Sequence, residues 1–342
     1  MSESDQRRSQ DDRRPRPGAG SADGAVERPS TVLPVSGPHR RLPTPEHVSA
    51  AVREILGSSP VQWTPVVEGG YSPVGRWVVG TESGRTAFVK AALGSAAEPW
   101  LHSEARVYSE VSAPWLPQLF GYRPGDDDEA SVLVIEDLSM ARWGIPVDVH
   151  DAELLREALQ ALTHVSALAG LPAVEGRRQW QIVAKDPRAV IASGLVDDAW
   201  LTRCLPELVA AESAVDLAGD GLVHGDLFLQ NWCRADRGAV IVDWAHPWRG
   251  NGDLCVAWGE AGVRAAGGPA GVVLPPGSAT WAAYVAGQIV WFLLEHDGPV
   301  HPRLAETERR EAFASVCWAA HELELPTPQP SPGFLPGGPW RP

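Results

Sequence analysis

Apolar residues along this chain change their spacing once. From about Val61 to Asp137 they come in short runs broken by turn residues, the pattern of half-buried strands. The runs VQWTPVV (61–67), GRWVVG (75–80), TAFVKAA (86–92), PQLFGY (117–122) and SVLVIED (131–137) read as strands. Glu82-Ser83-Gly84 and residues 124–129 supply turns between them. One helix interrupts the series, about Ala96 to Val111. Pro99 falls in its first turn, where a missing N–H is tolerated. After residue 140 the spacing lengthens. Leu154, Leu155, Ala158, Leu159, Leu162 and Val165 recur at helical intervals. Further helices are expected near 199–215, 253–265, 279–296 and 304–322. The exception is 222–244, where two short apolar runs flank a polar motif. The pattern predicts an α+β protein, with a small strand-rich part followed by a larger helical part. A hinge is expected near Glu136–Met140.

Both ends depart from this pattern. Residues 1–40 are polar, mixed in charge and rich in Pro, Gly and Ser. They carry too little apolar surface to fold and are expected to be a disordered tail. Residues 326–342, rich in Pro and Gly, read as an irregular tail. The chain as a whole has 342 residues and is 44% hydrophobic, enough to bury a substantial core. Its net charge of −14 argues against a nucleic-acid partner, which calls for clustered Lys and Arg. Cys204, Cys233, Cys255 and Cys317 are scattered, suggesting neither a zinc site nor a disulfide framework. That fits a cytoplasmic setting. The charged N-terminus lacks the apolar core of a signal peptide. Trp281–Leu294, interrupted by Gln288, is too short to span a bilayer and reads as a buried helix. No membrane partner is expected, and no oligomeric state is read.

The chemistry concentrates in LVHGDLFLQNW (222–232) and GAVIVDWAHPWRGNGDL (238–254). Val240-Ile241-Val242 reads as a buried strand ending at Asp243, which is thereby held at the rim of a cleft. Asp226 sits in a loop after Leu222-Val223, and Asn231 follows it by five residues. Mg2+ prefers oxygen ligands and commonly takes one or two carboxylates beside substrate phosphates. Asp243 and Asn231 suit that role. Asp226 is then free to accept a proton from an attacking hydroxyl. Singly, each of these residues is better read as a cap, Asp226 and Asn231 of a turn and Asp243 of a helix; the set in this order is not.

Taken together, the segment resembles the catalytic core of the aminoglycoside phosphotransferase family, small-molecule kinases related to the protein kinases. The matching residues are His224-Gly225-Asp226, Asn231, Val242-Asp243-Trp244, and Gly250 to Asp253-Leu254. Phe228 stands where the family often has His. The resemblance covers roughly residues 45–320 and is weaker before residue 222. It implies a bilobal kinase-like fold, with a nucleotide-binding lobe at 41–137 and a catalytic, substrate-binding lobe at 138–325. It also implies a Mg2+-dependent reaction using ATP, or GTP, as donor. His224 is expected to hold the loop rather than move a proton.

The strand-rich part offers matching residues. Lys90 is one of only two lysines in the chain, the other being Lys185, and it lies within an apolar strand. A buried lysine needs a partner. Glu104 falls on the apolar stripe of the following helix, with Trp100, Val107, Tyr108 and Val111. The pair resembles the kinase Lys–Glu pair that orients the donor phosphates. Gly69, Gly70 and Ser72, between the first two strands, are the candidate phosphate loop. The hinge-like run LVIEDL would contact the nucleotide base through the backbone of Glu136 and Leu138.

The helical part carries more acidic than basic side chains, which suits a cationic acceptor and equally suits ordinary solubility. The expected activity is phosphoryl transfer to a hydroxyl of a small molecule, with an antibiotic such as an aminoglycoside as leading acceptor. Macrolides, nucleoside antibiotics, amino alcohols and sugars stay open. So does a non-catalytic, kinase-like binding protein.

Overall fold

The computed structural model describes residues 45–66, 74–92, 97–125, 129–144, 147–274, 278–295 and 302–334. The two expected tails lie outside this set, apart from residues 326–334. The chain opens with α1 (Pro45–Leu56), β1 (Pro60–Pro65), β2 (Gly75–Thr81), β3 (Thr86–Ala92), α2 (Glu98–Glu110), β4 (Leu119–Arg123) and β5 (Ser131–Ile135). The strands form one antiparallel sheet in the order β1-β2-β3-β5-β4.

Strand alternation gives this sheet two unlike faces. Trp77, Val79, Val89, Ala91, Val132 and Val134 point to one side and pack under α1, against Val48, Ala51, Val52 and Leu56. Ala92, Leu133 and Ile135 face the other way and join the main core with Leu101, Ala105, Val107 and Tyr108 of α2. Helix α1 was not expected from the sequence. Its four buried residues sit at helical spacing in PEHVSAAVREIL, directly after the polar leader that masked them.

The remainder comprises β6 (Arg142–Trp143), α3 (Val149–Leu162), α4 (Gln179–Lys185), α5 (Arg188–Ser193), α6 (Asp198–Ser213), β7 (Gly221–Val223), β8 (Trp232–Ala235), β9 (Gly238–Ile241), β10 (Trp248–Gly250), α7 (Asp253–Ala265), α8 (Ala279–Glu295) and α9 (Pro302–Glu322). The expected helices appear here within a few residues of their predicted bounds. Helix α3 is fixed at its start by a reciprocal capping box between Asp148 and Asp151. Two small antiparallel sheets, β6-β8-β9 and β7-β10, interrupt the helices. They account for the exception read at 222–244. Helix α8 is buried along much of its length, from Ala282 to Ile289 and Val290. Among the described residues no helix is long and apolar enough to cross a membrane.

Candidate active site

The motif loop begins where β7 ends. His224 is fully buried, and three bonds pin it. Its Nε2 donates to the Val242 carbonyl at 2.8 Å, its Nδ1 accepts the Asp226 N–H at 3.2 Å, and its own N–H points at Cys255 Sγ, 3.3 Å away. An acceptor at Nδ1 and a donor at Nε2 describe the neutral ring. Burial depresses its pKa to about 4. His224 thus ties the Asp226 loop to the end of β9, and Trp244 packs on it at a centroid distance of 4.4 Å. Gly225 has φ +79°, and a Cβ there would collide with the His246 carbonyl and the Trp248 ring. Only glycine fits between those walls.

The five-residue spacing from Asp226 to Asn231 has a simple origin. A single 3-10 turn, Leu229–Asn231, folds the chain back beneath Asp226. Asn231 Nδ2 then donates to the Asp226 carbonyl at 2.6 Å and to its Oδ2 at 3.3 Å. With the nitrogen so committed, the amide oxygen is the group left to meet a cation. Asp226 itself is half-buried at the cleft surface. Desolvation, then the negative charges of Asp243 and Glu311, push its carboxyl well above the usual range.

Asp243 follows β9 with φ +64°, a left-handed conformation uncommon outside glycine and frequent at functional sites. Its Oδ1 lies 2.6 Å from Lys90 Nζ, a contact between residues 153 positions apart. Lys90 also meets both oxygens of Glu104 at 2.9 Å. Burial opposes ionisation of Asp243, but the charges of Lys90 and Arg76 outweigh it and hold the carboxylate well below its ordinary range. Glu104 moves the other way, since burial there exceeds the help from Lys90. Lys90 and Glu104 are both buried, so the pair is shielded from solvent.

Two residues not singled out as site residues in the sequence complete this arrangement. Tyr108, read from the sequence only as part of the α2 stripe, donates its hydroxyl to Glu104 Oε1 at 2.7 Å and accepts the Asp243 N–H at 3.2 Å. Glu311 of α9 accepts the Leu229 N–H at 3.0 Å and so anchors the 3-10 turn behind Asp226. The spacing of Tyr108, four residues after Glu104, could have drawn attention to it. Glu311 lies too far along the chain for any spacing to reveal it.

At the hinge, the Glu136 N–H bonds to the Gln118 carbonyl at 2.8 Å. The Leu138 carbonyl accepts from the Ala141 N–H at 3.0 Å and from Trp143 Nε1 at 2.8 Å. Among the described residues the Glu136 carbonyl and the Leu138 N–H, an acceptor and a donor two residues apart, take no part in these bonds. The Glu136 side chain accepts from Arg237 with both oxygens at 2.6 Å. Gly69, Gly70 and Ser72 lie outside the described residues. Cavities of about 540 and 440 Å³ flank the hinge, and neither is lined by Asp226 or Asp243.

Asp243, held ionised, and the Asn231 amide oxygen could together hold a hard divalent cation. Among the described residues no group of three or more His, Cys, Asp or Glu side chains is arranged to bind a metal by itself.

Comparison with known proteins bears on the whole arrangement. The profile of the phosphotransferase enzyme family APH matches residues 63–246, from β1 through the Asp243 segment. A choline/ethanolamine kinase family protein from Mesorhizobium loti is 16% identical over 81% of this chain and 96% of that one, with a TM-score of 0.53. Choline kinase LicA from Streptococcus pneumoniae is 13% identical over 79% and 98%, with a TM-score of 0.50. An aminoglycoside phosphotransferase from Alicyclobacillus acidocaldarius is 12% identical over 76% and 91%, with a TM-score of 0.45. No curated protein matches the chain in sequence. At such identities the first two likenesses speak for the fold alone, the bilobal kinase-like α+β fold. The family match spans more than half of the sequence, and the chain therefore belongs to the APH phosphotransferase enzyme family, as a small-molecule kinase.

Proposed function

We propose that this enzyme transfers the γ-phosphoryl group of ATP, or GTP, to a hydroxyl of a small cationic molecule, with an aminoglycoside as the leading acceptor. The observation that carries the reading is the meeting of two separate groups in one place. Lys90 and Glu104, both buried, and the partly exposed Asp243 form a charge cluster, and Asp226 with Asn231 stands beside it.

In this reading Asp226 accepts the acceptor's hydroxyl proton as the new O–P bond forms and the bond to the departing nucleoside diphosphate breaks. A carboxyl pushed upward by burial and neighbouring acids is a stronger base than an exposed aspartate. Lys90, fixed by Glu104, orients the donor phosphates, and the Glu136 carbonyl and Leu138 N–H position the base. Asp243 and Asn231 would hold Mg2+, which neutralises phosphate charge when bound. Gly69, Gly70 and Ser72 remain the proposed phosphate loop. Positioning and charge neutralisation are most of what phosphoryl transfer requires.

Acids around Asp226 favour a positively charged acceptor. Asp243, held ionised, and Glu308 both press on it, and a cationic acceptor would relieve that field. Amino alcohols share this feature with aminoglycosides. The test is donor turnover by the full chain with Mg2+ and ATP or GTP, across aminoglycosides, amino alcohols, macrolides, nucleosides and sugars. Turnover confined to cationic hydroxyl compounds supports the reading. Turnover with neutral acceptors alone would remove the acceptor class, and nucleotide binding without turnover of any acceptor would favour a non-catalytic binding protein.

A further inference from the structure

Strands β2 and β3 pair antiparallel in a register that sets Arg76 directly opposite Lys90. Residues opposite one another in an antiparallel pair share a face. Their sequence neighbours Trp77, Val79, Val89 and Ala91 are buried on the α1 side. Arg76 therefore stands with Lys90 on the cleft side of the sheet, half-buried rather than enclosed. Its charge reaches the same groups that Lys90 touches, because it helps keep Asp243 ionised and disfavours the proton on Lys90.

The charge count around Lys90 makes this position consequential. One ammonium is shared between two carboxylates, at 2.9 Å from Glu104 and 2.6 Å from Asp243. Without Arg76 that trio carries a net negative charge where a strongly anionic phosphate chain must enter. A guanidinium is permanently charged and presents a planar fork that matches phosphate oxygens. On a partly desolvated face it is screened less than on an open surface. We infer that Arg76 is a second phosphate-binding cation of the donor site, contacting the nucleotide's phosphate chain from β2 beside Lys90. The inference rests on the phosphotransferase reading.

Calorimetric titration of the full chain with ATP, ADP and adenosine, in the presence of Mg2+, tests it. The proteins compared are the wild type, Arg76→Gln and Arg76→Lys. Arg76→Gln should weaken ATP and ADP on the order of 10- to 100-fold, the worth of a charge-assisted hydrogen bond, and leave adenosine unchanged. Arg76→Lys should recover part of the loss, because it restores the charge without the fork. In turnover, KM for the donor should rise more than kcat falls. ATP binding by Arg76→Gln equal to wild type would overturn the inference. So would an equal loss for adenosine, which carries no phosphate and would reveal a purely structural role. A wild type that binds no nucleotide would instead bring down the phosphotransferase reading, and this inference with it.

Discussion

Asp226 and Asp243 are the same residue type in one cleft, yet their surroundings push them in opposite directions. Asp243 has a lysine at 2.6 Å and stays ionised, whereas Asp226 has acids for neighbours and holds its proton more tightly. Different variants should therefore fail differently. Asp226→Asn should leave ATP·Mg binding nearly intact and slow turnover by a factor on the order of 10² to 10⁴, checked by titration beside steady-state rates. Asp243→Ala should weaken metal-dependent nucleotide binding itself. Tyr108→Phe removes one hydroxyl that serves both Glu104 and Asp243. It should cost about 1–3 kcal/mol in denaturant unfolding and weaken nucleotide binding without altering α2. Asp226, Asn231, Asp243, Lys90 and Glu104 were all legible in the sequence, because spacing and an apolar context single them out. Tyr108 and Arg76 were not. Tyrosine on an apolar stripe looks like packing, and arginine is the ordinary cation of this chain.

Element boundaries followed from hydrophobic period wherever the period ran long, as in α3 and α6 to α9. What the period could not give was which elements touch. Helix α9 reaches the motif loop through Glu311, whose Oε2 finds no hydrogen-bond partner among the described residues. Burial raises this carboxyl to about 8. Between the ordinary glutamate value of 4.5 and about 8 the folded chain keeps a proton that the unfolded chain has lost, so stability from this group falls as pH rises through that window. Burial of neutral His224 acts oppositely, adding stability as pH rises from about 4 to 6.5. Glu311→Gln keeps an acceptor for the Leu229 N–H and cannot titrate. Its melting temperature relative to wild type should climb steadily from pH 5 to pH 8, by the equivalent of a few kcal/mol. A flat difference would mean that Glu311 titrates like an exposed acid.

At the scale of the molecule, the sheet is clamped between α1 and α2, and only α2 belongs to the site. Composition argues that residues 1–40 contribute nothing to the core, so a chain starting at Arg41 should keep nucleotide binding and turnover. A chain starting at Gly57 would also lose α1 and expose Trp77, Val79, Val89, Val132 and Val134. Buried side chains of this size contribute about 1.5–3 kcal/mol each, against a total stability of roughly 5–15 kcal/mol. Thermal unfolding of the shorter chain should lose its cooperative transition. The two-part α+β architecture was legible from the single change in period, because that change reflects a real switch from sheet to helix. Helix α1 was hidden by the polar leader before it.

The bonds around the motif differ greatly in how much chain they enclose. Lys90 and Glu104 are 14 residues apart, Leu229 and Glu311 are 82, and Lys90 and Asp243 are 153. On a ribosome, where the chain emerges from its N-terminus, these links can close only in a fixed order. The lysine and glutamate can meet once the first sheet and α2 are out. Asp243 can join only after more than a hundred further residues, and the brace from α9 later still. Until Asp243 emerges, a nascent chain would hold its ammonium and glutamate together without that carboxylate beside them, a charge cluster still missing one of its three members.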